Sequence, residues 1–332
     1  QKSDLETHPV YFDKVIFGRH NGIYSSDDYG ATSELLHSFG GDQDNDGSVN
    51  MFNWTEGNLI TDVKYSRSNP NVIFAVKRNR YSTPRVEAGT SHLHKSSDGG
   101  LTWEQVSLPF SEFNGLLNID INDKGRLFLS SNSHKKIYYS DNLGSSFDEL
   151  VNLNNTIAPT DIIAIDGTNN LLIHEQASSN QFTSDKIYLS SPGNIEDITN
   201  NMLPSYVDIQ EVEIFYGSNK VYFSSNAGIW ESNKSIVPDN IFLYPTVQKE
   251  LYFSDDKIKL SSFTNIEKEK IDYYEWIVDG NSFTSYNYLL VINEEKNPLD
   301  ITFESNQKSK KIDLQLKIHL KDGTSHSSEI LE

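Results

Sequence analysis

Apolar residues run along this chain in short stretches broken by Asn, Asp, Ser and Gly, and no long window holds a 3.6-residue apolar period. Leu59 to Pro70, Asn71 to Val76 and the run before Ser96 predict three successive strands. The same order returns from Gly115 as GLLNIDINDKG, RLFLSS and KKIYYS. Upstream, VIFGRHNGIYSS predicts two strands. Downstream, DIIAIDGTNN, LLIHEQ and KIYLSS, then EVEIFYGSNK and VYFSSNAGIWESN, repeat the rhythm more loosely.

Each tripartite unit runs into a polar turn, and the sharpest of these is Ser96-Ser97-Asp98-Gly99-Gly100-Leu101-Thr102-Trp103. An Asp in a tight turn accepts backbone N–H bonds, a Gly two residues on supplies positive φ, and Thr102 with Trp103 returns the chain as a strand. Ser26, Asp28, Gly30 and Thr32 stand at the same offsets, as do Ser140, Asn142, Gly144, Ser146 and Phe147. Two further turns keep only Ser190 and Ser232. The five serines are separated by 70, 44, 50 and 42 residues. A period in the forties with about four short strands per unit is that of propeller blades.

These repeats resemble the Asp-box (BNR) repeats of sialidases, sortilin-like propellers and xyloglucanase-type glycoside hydrolases. The resemblance implies an all-β propeller with about five recognisable blades over residues 1–237, possessing an incomplete set if blades preceding this chain belong to it. It also implies that the box residues are turn residues at the blade periphery and not catalysts. The first unit shows no inner strand before Val15, so the expectation is either completion by flanking residues or an N-terminally trimmed chain.

Ile236 to Ile241 breaks the pattern, and residues 238–332 form a second module of about seven short strands. With Tyr274, Trp276, Asp279 and Gly280 in a middle strand it resembles a PKD domain, an Ig-like sandwich, with Trp276 as its core tryptophan.

Composition narrows the chemistry. A formal charge of −19 opposes a nucleic-acid or anionic-membrane partner. The absence of cysteine excludes disulfides and thiolate chemistry, and no apolar run is long enough to span a bilayer as a helix. Asp42, Asp44, Asp46 and Ser48 place oxygen ligands at alternate positions around Gly47, the beginning of a calcium loop that lacks its terminal Glu; a solvated acidic turn is the other reading. His92 and His94 share a strand face without an identifiable third metal ligand.

No G-x-S-x-G, H-E-x-x-H, P-loop or dinucleotide motif is present. Six arginines, four of them in one blade and its insertion, do not suggest a sialidase. A xyloglucanase-type reaction would need facing carboxylates. Inner strands offer Asp62, Asn118 and Glu211, with Asp161 nearby; alignment of the following turn puts Ile162 opposite Asp62, so no catalytic pair is named. The reading is a secreted or cell-surface protein-interaction or glycan-binding propeller with a spacer sandwich. The alternatives are a glycoside hydrolase or a structural part of a larger surface assembly, and bacterial surface proteins of the Bacteroidetes type are the analogy for location.

Overall fold

A computed structural model describes residues 5–19, 22–39, 58–79, 90–110, 117–131, 133–153, 157–177, 185–199, 208–218, 220–226, 228–232, 236, 241–248, 258–292 and 311–331. The protein is all-β, in two compact units. The first comprises Gln1–Pro9, Lys14–Ile214 and Lys220–Ile236; the second comprises Val10–Asp13, Phe215–Asn219 and Val237–Glu332.

The first unit is a series of antiparallel meanders. Blade 1 is β1 (Leu5–Thr7), β2 (Val15–Arg19), β3 (Gly22–Ser26) and β4 (Glu34–Ser38). Blade 2 is β5 (Asn58–Tyr65), β6 (Ile73–Asn79), β7 (Ser91–Ser96) and β8 (Glu104–Gln105). Blade 3 is β9 (Leu117–Ile121), β10 (Leu127–Ser131), β11 (Lys136–Ser140) and β12 (Asp148–Asn152). Blade 4 is β13 (Asp161–Ala164), β14 (Leu171–Glu175), β15 (Lys186–Ser191) and β16 (Asn194–Asp197). Blade 5 has three strands among the described residues, β17 (Ile209–Phe215), β18 (Lys220–Ser225) and β19 (Gly228–Glu231). Up-and-down sheets in sequence order are the blades of a β-propeller.

Blade 1 does possess an inner strand: Leu5, Glu6 and Thr7 pair with Phe17, Ile16 and Val15. The segment was illegible because it is three residues long with one apolar side chain. Middle strands are the most deeply buried. Ile73, Phe74, Ala75 and Val76 of β6 and Leu127, Phe128 and Leu129 of β10 have no exposure. Their faces supply two different inter-blade cores: Ile73 and Ala75 join Ile16, Ile23 and Ile60, while Phe74 and Val76 join Leu117, Ile119 and Leu127. That division follows from the period-2 alternation of a strand covered on both faces.

The second unit contains a three-stranded sheet ordered β20 (Leu243–Val247), β21 (Ile258–Thr264), β24 (Leu290–Ile292), and a four-stranded sheet ordered β23 (Asn281–Ser285), β22 (Ile271–Val278), β25 (Leu314–Leu320), β26 (Ser325–Ser327). Both sheets contribute to one core, in which Leu243, Leu260 and Leu290 meet Tyr274, Trp276, Leu316 and Ile318. Residues 10–13 join this unit, with Tyr11 bridged to Val247 and the Phe12 N–H donating to the Val247 carbonyl at 3.0 Å. A single cut in the sequence near residue 238 does not capture that segment.

Candidate functional site

Three turns share one hydrogen-bond plan. In the sharpest, Ser96 Oγ donates to Asp98 Oδ1 at 2.7 Å and accepts the Gly100 N–H at 2.8 Å. Asp98 accepts the Thr102 N–H at 2.9 Å and the Thr102 hydroxyl at 2.6 Å. Ser26, Asp28, Gly30 and Thr32 repeat these bonds at 2.7, 2.8, 2.8 and 2.7 Å. Ser140, Asn142, Gly144 and Ser146 do so with an amide, whose Nδ2 now donates to Ser146 Oγ at 2.8 Å. The turn needs two successive left-handed residues: Tyr29 and Gly30, Gly99 and Gly100, Leu143 and Gly144 all have positive φ.

Hydrogen bonds from Thr102, then from Ser96, hold the Asp98 carboxyl down at about 2, and the backbone N–H of Thr32 is the main cause of the lowered Asp28. Trp103 is half-buried. Its Nε1 donates to the Gly100 carbonyl at 2.8 Å, and its ring lies edge-on to Phe39 at 5.7 Å. Phe147 is half-buried against the core between blades 2 and 3. All these side chains belong to the turns themselves or to blade interfaces.

The inner strands carry the other polar constellation. Ser66, Asn122 and Ile165 occupy the same turn position, since their N–H groups donate to Val72, Arg126 and Asn170. Counting back four residues places Asp62, Asn118 and Asp161 at one level, so the turn aligns Asp161, and not Ile162, with Asp62. One level nearer the turn stand Lys64 and Asp120, together with Glu6 of blade 1, which lies 3.8 Å from Lys64 Nζ.

These acids bridge the blades. Asp62 Oδ2 accepts the Ile119 N–H at 3.0 Å, and Asp120 Oδ2 accepts the Ala164 N–H at 2.7 Å. Each reaches one residue further along the next inner strand. β9 and β13 are terminal in their sheets, so the inner edge of each offers N–H groups that no strand pairs, and the carboxylates take them. Burial raises Asp120 to about 6, partly opposed by Lys64.

The following turns are latched as well. Asp166 Oδ1 accepts the Asp123 N–H at 2.7 Å while Asp123 Oδ1 accepts the Gly167 N–H at 2.7 Å. Burial raises Asp166 to about 7 despite the opposing charge of Arg67, whose guanidinium donates to the Pro9 carbonyl at 3.1 Å. Blade 4 joins blade 5 through Asp185, whose Oδ2 accepts the Ile209 N–H at 2.7 Å and faces His174 Nε2 at 3.1 Å. Asp120, Asp123, Asp166 and Asp185 were not singled out from sequence. For Asp120, Asp123 and Asp166 the available signal was an acid recurring within a few residues of the inner turns; Asp185, just before β15, lies away from them. Glu211, by contrast, is exposed on β17.

His92 and His94 lie on alternate positions of β7. His92 Nδ1 meets Gln105 Nε2 at 3.3 Å, whereas His94 packs on Phe39 at 4.7 Å and burial drops it to about 4. Among the described residues no group of three or more His, Asp or Glu side chains converges as a metal site. Asp42, Asp44, Asp46 and Ser48 lie outside the described residues.

No family model matches the chain, and no curated protein matches it. Solved structures similar to it include YCF48 bound to D1 peptide, at 14% identity and a TM-score of 0.45, covering 78% of this chain and 74% of that one. The GH74 xyloglucanase from Xanthomonas campestris is similar at 13% identity and a TM-score of 0.46, covering 77% of this chain and 43% of that one. A luciferin-regenerating enzyme is similar at 11% identity and a TM-score of 0.44, over 64% of this chain and 66% of that one.

Proposed function

We propose that the protein is a secreted or cell-surface binding module: an Asp-box propeller serving as a scaffold for a protein or glycan ligand, followed by a PKD-like sandwich. The observation that carries this reading is the use of the inner-strand acids. Asp62 and Asp120, the residues best placed for hydrolytic chemistry, have carboxylate oxygens committed to backbone N–H groups of the next blade. Buried acceptors of this kind hold a scaffold together. The Asp-box turns, with their side chains bonded within the turn, are read as the structural pins of that scaffold.

The hydrolase alternative draws on one observation, the raised carboxyls of Asp120 and Asp166, since an acid poised near neutrality is what a general acid needs. The two readings separate in one experiment. Xyloglucan and other β-glucans are incubated with the protein, and reducing ends and retained polysaccharide are both measured. Retention without release supports the binding module; release that disappears in Asp120→Asn supports the hydrolase.

Calcium at Asp42, Asp44, Asp46 and Ser48 is proposed from the spacing of oxygen donors alone. Millimolar calcium should raise the melting temperature of the wild type and leave Asp44→Asn/Asp46→Asn unchanged; equal melting of both proteins in both conditions would reject the site.

A further inference from the structure

The four-stranded sheet of the second unit buries one face in the core, and the residues of its other face are half-buried or exposed. Tyr274, Trp276, Val278, Leu314, Leu316 and Ile318 point into the core. The alternate residues form a grid fixed by strand register. Tyr273 stands beside His319, Glu275 lies between Thr284 and Lys317, and Ile277 lies between Ser282 and Gln315. Tyr286 follows at the end of the edge strand and is 77% exposed.

The aromatic end of this grid is ordered. Tyr273 and His319 stack at 4.2 Å with an interplanar angle of 14°, so one ring face of Tyr273 is covered. Tyr286 sits 6.3 Å away at 59° and keeps its ring surface open to solvent. The polar centre is equally fixed: Glu275 Oε2 accepts from His319 Nε2 at 2.8 Å, and Oε1 accepts from Ser282 Oγ at 2.9 Å. Each carboxylate oxygen has a second lone pair, so Glu275 retains acceptor capacity in a set orientation.

We propose that this outer face binds a neutral oligosaccharide, with a pyranose ring laid on the exposed Tyr286 against Tyr273 and its hydroxyls donating to Glu275. Charge selects the occupant. Glu275 is hydrogen-bonded to His319 and faces Lys317 across the strand pair, so one carboxylate is set against one ammonium in the patch. The chain as a whole carries −19 and would repel an acidic glycan or an acidic peptide. A strongly basic partner would meet Lys317. What remains is an uncharged ligand with apolar C–H faces and many hydroxyls, which matches an aromatic ring beside a pre-oriented carboxylate. The inference concerns this sheet alone and stands independently of any ligand of the propeller.

Calorimetric titration of the full chain with cellohexaose, mannohexaose and chitohexaose tests it. At least one of the three should bind with a Kd of about 1 mM or tighter. Tyr286→Ala should weaken that binding about tenfold, the loss of one aromatic stacking partner, and Glu275→Gln should weaken it by a smaller factor. Both variants should keep the wild-type melting temperature, since Tyr286 is solvent-exposed and glutamine preserves the shape of Glu275. Absence of binding for all three sugars overturns the proposal. Binding that persists unchanged in Tyr286→Ala also overturns it, and would place the sugar on the propeller instead.

Discussion

Asp62 of blade 2 accepts the backbone N–H of Ile119 in blade 3 at 3.0 Å, and the carboxylate is nearly enclosed, with the residue 9% exposed. A propeller leaves its innermost strand edges unpaired, and here Asp62 at the junction of blades 2 and 3 and Asp120 at that of blades 3 and 4 each take one of the N–H groups so exposed. Asp62→Leu would leave a buried N–H without its acceptor and should cost about 1–3 kcal/mol. Asp62→Asn keeps an acceptor oxygen and should cost less. Urea unfolding of the two variants checks the order; equal losses would mean that the bond contributes nothing beyond packing.

The acidic latch at the turns predicts a pH effect of definite sign. Asp166 is raised to about 7 in the folded protein from an ordinary value near 3.8, so across that interval the folded state holds more protons than the unfolded one. Stability from this group is greatest below the unfolded value and falls as pH rises from there through about 7. His8, lowered to about 3 chiefly by burial, acts in the opposite direction, because it gains stability as pH rises toward its ordinary value. Wild type alone therefore shows only the net slope. The difference between wild type and Asp166→Asn isolates the aspartate: the variant should gain relative stability progressively between pH 4 and pH 7, read as melting temperature at each pH. A constant difference across that range would exclude the raised carboxyl.

Local features were legible in the sequence and inter-blade features were not. Ser96, Asp98, Gly100 and Thr102 bond to one another over four residues, so spacing alone anticipates the turn. The level of Asp161 depends on which backbone N–H closes the next turn, and strand alternation makes a one-residue ambiguity fatal to assigning a face. Asp120 looked like any strand-edge acid because its partner, Ala164, is 44 residues away. The aromatic grid of Tyr273, Tyr286 and His319 brings together residues of β22, β25 and the segment just after β23, and only the fold unites them. Trp276, in contrast, was anticipated as a core tryptophan from the resemblance of its strand to a PKD domain, and it is fully buried.

Two glycines in equivalent turns separate backbone strain from crowding. Gly30 and Gly100 have φ of +85° and +97°. A Cβ on Gly30 meets nothing within 4 Å, whereas on Gly100 it would come within 2.4 Å of Leu36 Cδ2. Gly30→Ala should cost about 1–2 kcal/mol for the left-handed conformation alone. Gly100→Ala should cost about 1–3 kcal/mol more, because Leu36 belongs to a packed interface. Denaturant midpoints that coincide for the two variants would show that the turn of blade 2 stands clear of blade 1.

Trp103 ties its turn to blade 1 through Phe39, whose ring lies edge-on at 5.7 Å, and its indole closes on the Gly100 carbonyl. Because it is half-buried, Trp103→Ala should cost about 2–3 kcal/mol, below the range for deleting a fully enclosed large aromatic. Trp103→Phe keeps the edge contact with Phe39 and loses the hydrogen bond, for about 1 kcal/mol. Thermal melts resolve the two, and an unchanged melt for Trp103→Ala would remove the residue from the interface.

Trp276 offers the sharpest contrast between volume and polarity. It has no exposure, and its Nε1 is buried without a hydrogen-bond partner among the described residues. Trp276→Ala should therefore cost about 3–5 kcal/mol, as a large cavity opens between the two sheets of the second unit. Trp276→Phe removes less volume and also removes a donor that was desolvated without compensation, a burden of about 1–3 kcal/mol. The two effects oppose each other, so the phenylalanine variant should fall within about 1 kcal/mol of wild type. Urea unfolding of the full chain carrying each variant measures both. A phenylalanine variant as unstable as the alanine one would show that the indole N–H is satisfied after all, and that Trp276 is held by a bond as well as by packing.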